Sequence, residues 1–158
     1  NNRFSIKIIR SRVKKEMIDN SCGFRITEPH KKSIGIHSDA AFFSKVIQQK
    51  INMNFLKSLW IPLEGFDKKY TLRISPKSHL KKHPKNKFKK KNNQTTYFFK
   101  NSYSETFKYQ RMNFKKGELM LFNPNLLHGD SHNKGDFTRV SLEIRLYNPN
   151  EIVNWKFS

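Results

Sequence analysis

Apolar and polar residues alternate in short runs along this chain, the period of strands that cover one face. Phe4, Ile6 and Ile8 alternate with Ser5 and Lys7, which predicts a first strand. Asn54 to Leu63 and Tyr70 to Ile74 are rich in aromatic and branched residues. Glu64, Gly65 and Asp67 between them supply a turn, so two strands joined by a loop are expected. Ser33 to Ile36 predicts a further short strand, and Lys116 and Gly117 turn the chain into another over Glu118 to Phe122, ended by Asn123 and Pro124. The clearest strand is Phe137 to Tyr147. Thr138, Val140, Leu142, Ile144 and Leu146 share one of its faces, and Arg139, Ser141, Glu143 and Arg145 the other. Only Phe42 to Lys50 suggests a helix. Many short strands with little helix predict an all-β sandwich or barrel.

Size and composition narrow this picture. The 158 residues make one domain, 1–158, and 35% hydrophobic content with 14 Phe supplies its core, which excludes a wholly disordered chain. The longest apolar run, Leu59 to Leu63, is far below the roughly 18 residues of a membrane span, and the first 20 residues lack an apolar signal core. No membrane partner is therefore expected. The sequence opens at Asn1 rather than Met, which leaves room for an upstream segment. Cys22 is the single cysteine, which excludes an intramolecular disulfide and a Cys-based metal site and fits a reducing, cytoplasmic setting.

The charge is extreme: 32 Lys and Arg against 12 Asp and Glu, a net +20 that attracts polyanions. Yet 24 of those cations are Lys beside 16 Asn, a bias that A-rich codons alone would also produce. Eight lysines crowd Lys77 to Asn93 around His79, His83 and Pro84, with Phe88 the sole aromatic residue. This composition predicts a solvated lysine-rich surface loop over 77–93, either a plain charged excursion or an anion-binding or substrate-covering segment.

Chemistry is concentrated elsewhere. His37, Ser38 and Asp39 form an H-x-D triplet after the strand expected over Ser33 to Ile36, and two-residue spacing at a strand end aims both side chains at one point. His128 follows the Glu118 to Phe122 strand, 91 residues after His37, and completes two histidines and a carboxylate, the facial triad that leaves three positions of Fe(II) open. Arg139 comes 11 residues later with Ser141 on the same face of its strand. Its planar fork matches a carboxylate, and the hydroxyl adds a further hydrogen bond. Each element alone has an ordinary reading: isolated H-x-D triplets arise by chance, and Arg139 reads equally well as an outward residue beside Glu143 and Arg145. The ordered set is what carries weight. His30, His79, His83 and His132 read as loop or surface histidines; His132 competes most strongly as a ligand but lies beyond the turn that Gly129 begins.

At these residues the chain resembles the Fe(II)/2-oxoglutarate-dependent dioxygenases, and among them the phytanoyl-CoA dioxygenase-like group. The family pattern H-x-D, distant H, R-x-S matches His37, Asp39, His128, Arg139 and Ser141. Leu59 to Glu64 is similar to the family's central strand, Thr71 to His79 to its Gly-x-Leu-x-x-x-Pro-Gly-Ser-His turn, and Lys116 to Leu119 to the lead-in of the distal histidine strand. The resemblance runs from about Ser33 to Tyr147. Lys77 departs from it, standing where the family often has Gly, and so does Asp130, where a small residue is common.

The resemblance implies a double-stranded β-helix, the cupin-like jelly-roll, with iron between its sheets. It assigns His37, Asp39 and His128 to iron, Arg139 and Ser141 to the distal carboxylate of 2-oxoglutarate, and Trp60 and Thr71 to the co-substrate pocket. The implied activity is hydroxylation using O2, with succinate and CO2 as co-products. Halogenating relatives lack a carboxylate at the Asp39 position, so its presence favours hydroxylation. The expected partner is a small polar metabolite such as a sugar, an amino acid or an antibiotic-like molecule, and the positive field favours an anionic one. Two other readings compete. A nucleic-acid-directed oxygenase of the same fold is suggested by the Arg139 and Arg145 spacing. A non-enzymatic basic β-domain would bind polyanions, though the lysine run has poor aromatic interleaving.

Overall fold

The structure is a computed structural model that describes residues 22–42, 56–84, 87–91, 94–129 and 131–146. The strand expected over Phe4 to Ile8 and most of the helix expected over Phe42 to Lys50 lie outside these residues. The described elements are almost all strand: β1 Cys22–Thr27, β2 Lys57–Glu64, β3 Arg73–Ile74, β4 Lys87–Lys91, β5 Gln94–Phe98, β6 Gln110–Arg111, β7 Met120–Phe122 and β8 Arg139–Leu146. Helix is limited to a single turn, α1 Asn101–Ser104, and to 3-10 turns at Asp39–Phe42 and Ser78–Leu80.

The larger sheet is antiparallel in the order β1-β8-β2-β7. Its register places Arg25 and Thr27 beside Ser141 and Arg139, and Ser58, Trp60 and Pro62 beside Arg145, Glu143 and Ser141. Side chains two apart on a strand share a face, so these residues form one inner surface. The apolar side of β8 points the other way, and Phe24 and Ile26 beside it on β1 are 67% and 71% exposed. The polar stripe of the clearest strand is therefore the one turned inward: Arg139 and Ser141 are buried, and Arg139 is not the outward residue that its sequence neighbours suggest.

The facing layer is built from shorter pieces. His37 and His128 form an isolated antiparallel bridge, Ile74 bridges His128 from the other side, Phe99 N–H donates to the Ile36 carbonyl, and β3 pairs with β6. Ser33 to Ile36 is thus not a strand among the described residues; its pairing begins only at the bridge. Trp60, Leu72, Ile74 and Leu126 pack between the layers, and Ile36, Phe99 and Leu127 form a second apolar cluster. Two β-layers facing each other across an apolar interior are the arrangement that the expected jelly-roll, or double-stranded β-helix, requires.

Three further expectations are corrected. Tyr70 and Thr71 lie in a turn, so β3 starts only at Arg73. The segment 77–93 is not one loop: Lys87–Lys91 is a strand paired with β5 from Lys87 opposite Phe98 to Lys91 opposite Gln94. The ladder pairs the backbone groups along the edge that faces β5, and that partner is rich in the Thr, Tyr and Phe that strands prefer. His83 is half-buried rather than a surface histidine, its ring bonded to the Tyr103 hydroxyl at 2.8 Å and the Asn125 carbonyl at 2.9 Å. Lys77 adopts φ 64°, the left-handed conformation that explains why the turn it occupies favours Gly.

Candidate active site

The isolated bridge is what brings the two histidines together. Directly opposed residues of an antiparallel pair project to the same face, and the imidazole centroids of His37 and His128 stand 4.3 Å apart. Each Nδ1 sits against a carbonyl two residues back, Gly35 O at 2.7 Å and Leu126 O at 2.9 Å. A carbonyl only accepts, so Nδ1 carries the hydrogen and both Nε2 atoms keep their lone pairs, the orientation a metal ligand needs. Asp39 opens the 3-10 turn, held there by Ala40 N–H on the Pro124 carbonyl at 2.9 Å. Its Oδ1 lies 3.7 Å from His128 Nε2. Donor atoms of His37, Asp39 and His128 all fall within 4.8 Å of one another, and all three residues are buried.

The carboxylate is fixed from the larger sheet. Ser58 donates its hydroxyl to Asp39 Oδ2, and Arg145 donates to Oδ1 at 2.7 Å. Arg145 is continued by Glu143 at 4.0 Å, and Glu143 by Arg25 at 3.1 Å, so an ionic row crosses the inner face towards the site. Sequence reasoning missed the roles of Ser58 and Arg145. Their signal was present only as inward positions on β2 and β8.

The electrostatics suit a metal. Burial, with His128 adding to it, lowers His37 to about 3, so its ring is neutral and able to ligate at physiological pH. Burial alone would raise Asp39, but His128, Arg145, His37 and the Ser58 hydroxyl outweigh it and hold the carboxyl below its usual range. The unfolded chain protonates His37 near pH 6.5, whereas the folded chain resists protonation until about 3. Stability is therefore lost as pH falls through that window, and Asp39 adds the same sign below its ordinary 3.8. In chelator-treated protein the urea midpoint should fall from pH 6.5 towards 3, and His37→Gln should flatten that fall. An equally steep fall in the variant would refute this origin.

The second cluster lies further along the inner face. Arg139 is buried, with Nη1 on the Tyr70 carbonyl at 3.2 Å and Nη2 on Thr27 Oγ1 at 2.7 Å. Its Nε has no partner, nor has Ser141 Oγ, nor Trp60 Nε1 on the adjacent strand. Buried donors without acceptors are costly. Burial lowers Arg139 to about 10, with Arg111 and Arg25 adding to the fall and Glu143 opposing it, so the group stays charged at neutral pH among other guanidinium groups. Such a place calls for an anion with acceptor oxygens. Thr71 is buried too, but its hydroxyl donates to the Met112 carbonyl at 2.7 Å. His132 stays apart from the triad, its Nε2 against the His30 carbonyl at 2.9 Å.

Gly129 locks the bridge. It has φ +113°, and a Cβ there would meet the Gly35 carbonyl at 2.5 Å and His37 Nδ1 at 3.0 Å. Gly129→Ala is expected to cost about 2–4 kcal/mol from left-handed strain plus overpacking, read as a lower urea midpoint. A change under about 0.5 kcal/mol, ordinary for a surface substitution, would show that the close approach is not needed.

A family model described as phytanoyl-CoA dioxygenase (PhyH) matches residues 4–141. The chain belongs to the phytanoyl-CoA dioxygenase family. No curated protein matches it significantly. Among solved structures, this phytanoyl-CoA dioxygenase family member is similar to the non-heme alpha-ketoglutarate-dependent carbocyclase SnoK from nogalamycin biosynthesis (TM-score 0.57, 13% identity, covering 80% of this chain and 49% of that one). It is also similar to the epimerase SnoN in complex with Fe3+, alpha-ketoglutarate and a nogalamycin (0.55, 15%, 83% and 52%), and to AviO1 from Streptomyces viridochromogenes (0.55, 15%, 82% and 50%). The chain thus spans about half the length of these proteins, and 26% of EvdMO1, another similar structure. At such identities the likeness establishes the jelly-roll fold. No helix among the described residues is long and apolar enough to cross a membrane.

Proposed function

We propose that this family member is an Fe(II)- and 2-oxoglutarate-dependent oxygenase that hydroxylates a small polar metabolite. The observation that carries the reading is the convergence of His37, Asp39 and His128, whose donor atoms lie within 4.8 Å of one another, since two imidazoles and one carboxylate suit non-heme Fe(II). When bound, the iron and co-substrate couple decarboxylation of 2-oxoglutarate to succinate and CO2 with insertion of one oxygen atom of O2 into substrate. The chain's own contribution is orientation. Gly35 and Leu126 carbonyls fix the histidine rings, and Ser58 and Arg145 hold the Asp39 carboxylate in one rotamer. Arg139, Ser141 and Trp60 supply the unpartnered donors for the distal carboxylate of 2-oxoglutarate, with Thr71 as a wall of that pocket.

The similar proteins from nogalamycin biosynthesis support an antibiotic-like substrate, and the charge of +20 supports an anionic one. A cytoplasmic setting suits the lone cysteine. The test is succinate formation from 2-oxoglutarate with Fe(II) and O2 across a panel of sugars, amino acids and glycosylated aromatics. Succinate above the uncoupled background with at least one polar metabolite is expected. No succinate, even uncoupled, would overturn the assignment.

A further inference from the structure

A second charged region lies outside the barrel. On β3 and β6, Arg73 stands directly opposite Arg111. Like charges at opposed positions of an antiparallel pair destabilise it, yet both guanidinium groups are held in place. Arg111 donates to the Lys68, Lys69 and His132 carbonyls at 3.1, 3.0 and 2.7 Å, and Arg73 stacks on the Tyr109 ring at 4.3 Å, a ring itself anchored by its hydroxyl on the Ser104 carbonyl at 3.0 Å. Leu72 and Ile74 are packed into the core, so Arg73 between them faces the opposite way from the candidate iron site.

Around this pair is a cleft of about 340 Å³ also lined by Lys32, His132 and Lys134. A second cleft of about 350 Å³ carries Lys77, Lys81 and Lys108. Tyr109 and Gln110 line both, so the two clefts meet there, and neither lining contains Asp or Glu. Together the two adjoining clefts make a cationic groove, and where they adjoin stands the Tyr109 ring, packed against the Ile36, Phe99 and Leu127 cluster and carrying the Arg73 guanidinium plane on its face.

We propose that this groove binds single-stranded nucleic acid, with Lys32, Arg73, Arg111 and Lys134 on one side of Tyr109 and Lys77, Lys81 and Lys108 on the other meeting the phosphates. Cations that track a backbone beside a stacking surface are what sequence-tolerant single-strand binding uses. The surface is separate from the interior site, and the inference does not depend on the oxygenase reading.

The test is fluorescence anisotropy of a labelled oligo(dT) of about 16 nucleotides against the whole chain across salt concentrations. Seven phosphate contacts predict a slope of log K against log salt near −5, at about 0.7 per contact. Lys32→Glu with Lys134→Glu should weaken binding at least about 10-fold and flatten the slope by about 1.4, at about 0.7 for each of the two lost contacts. Lys115→Glu with Lys116→Glu, exposed lysines outside both clefts, removes the same charge and should leave binding within about twofold, as expected where no phosphate contact is lost. Lys32→Gln with Lys134→Gln should give an intermediate loss and covers poor folding of the charge reversal. Equal loss in the two charge-reversed pairs would reduce the effect to net charge and overturn the proposal. So would absence of binding, or tripolyphosphate displacing the oligonucleotide as well as unlabelled oligo(dT) does, which would mark a small-anion site instead.

Discussion

Asp39→Ala is expected to remove 2-oxoglutarate turnover, by more than the roughly 10–100-fold that loss of a ligand's hydrogen-bonding partner costs. The carboxylate is the one anionic member of the triad, and it is gripped on both oxygens, by Ser58 and Arg145. Its removal takes away the only charge compensation for the metal among the three donors. It also leaves Arg145, with a side chain 12% exposed, without its closest carboxylate. A folding defect is therefore part of the expectation, and breaking a buried pair by removing one partner costs up to about 3–5 kcal/mol. Asp39→Asn separates the effects, because it keeps the shape and an acceptor for Ser58 while discarding the charge. Both variants should lose Fe(II) affinity, measured by titration of folded protein checked by circular dichroism. Unchanged turnover in either would sink the assignment of Asp39.

Arg139→Lys is expected to raise the KM for 2-oxoglutarate about 10–100-fold, the worth of a charged hydrogen bond at about 1.5–3 kcal/mol, while Fe(II) binding stays as in the wild type. The reasoning is geometric. Nη1 and Nη2 are anchored to Tyr70 and Thr27, which leaves Nε for the ligand beside Ser141. A lysine keeps the charge but cannot reproduce a planar fork held at two points while donating at a third. Arg139→Ala should be worse in both affinity and stability, since it also empties a fully buried volume. If KM for 2-oxoglutarate is unmoved while the variant folds, the co-substrate lies elsewhere and the unpartnered donors of Trp60, Arg139 and Ser141 need another occupant.

The site was more legible in the sequence than the strands that carry it. His37, Asp39 and His128 stand in a spacing that survives on chemistry alone, and the structure brings those three side chains together. The Ser33 to Ile36 strand was misjudged because the second layer is made of isolated bridges, where pairing at single residues such as His37 and His128 replaces a ladder that periodicity would register. The direction of β8 was hidden for a different reason. Periodicity separates two faces but does not say which is inside, and hydrophobicity points to the wrong one when the interior holds Arg139, Ser141, Glu143 and Arg145 around a polar site. The lysine run Lys87–Lys91 misled through composition, because cross-strand pairing with β5 is a long-range fact. Ser58 carried no motif, and the spacing of Arg145 from Arg139 pointed to another role; only the register opposing them on β2 and β8 identifies them as the clamps of Asp39.

The central claim is that these three side chains hold iron that chelates 2-oxoglutarate. The most direct measurement is an anaerobic titration of chelator-stripped protein with Fe(II) and then 2-oxoglutarate, following the weak visible charge-transfer band of the chelated co-substrate, with His128→Ala alongside. The account predicts a saturable band in the wild type that is lost in the variant. A folded wild-type protein that develops no band, or a His128→Ala protein that develops the same one, would contradict it.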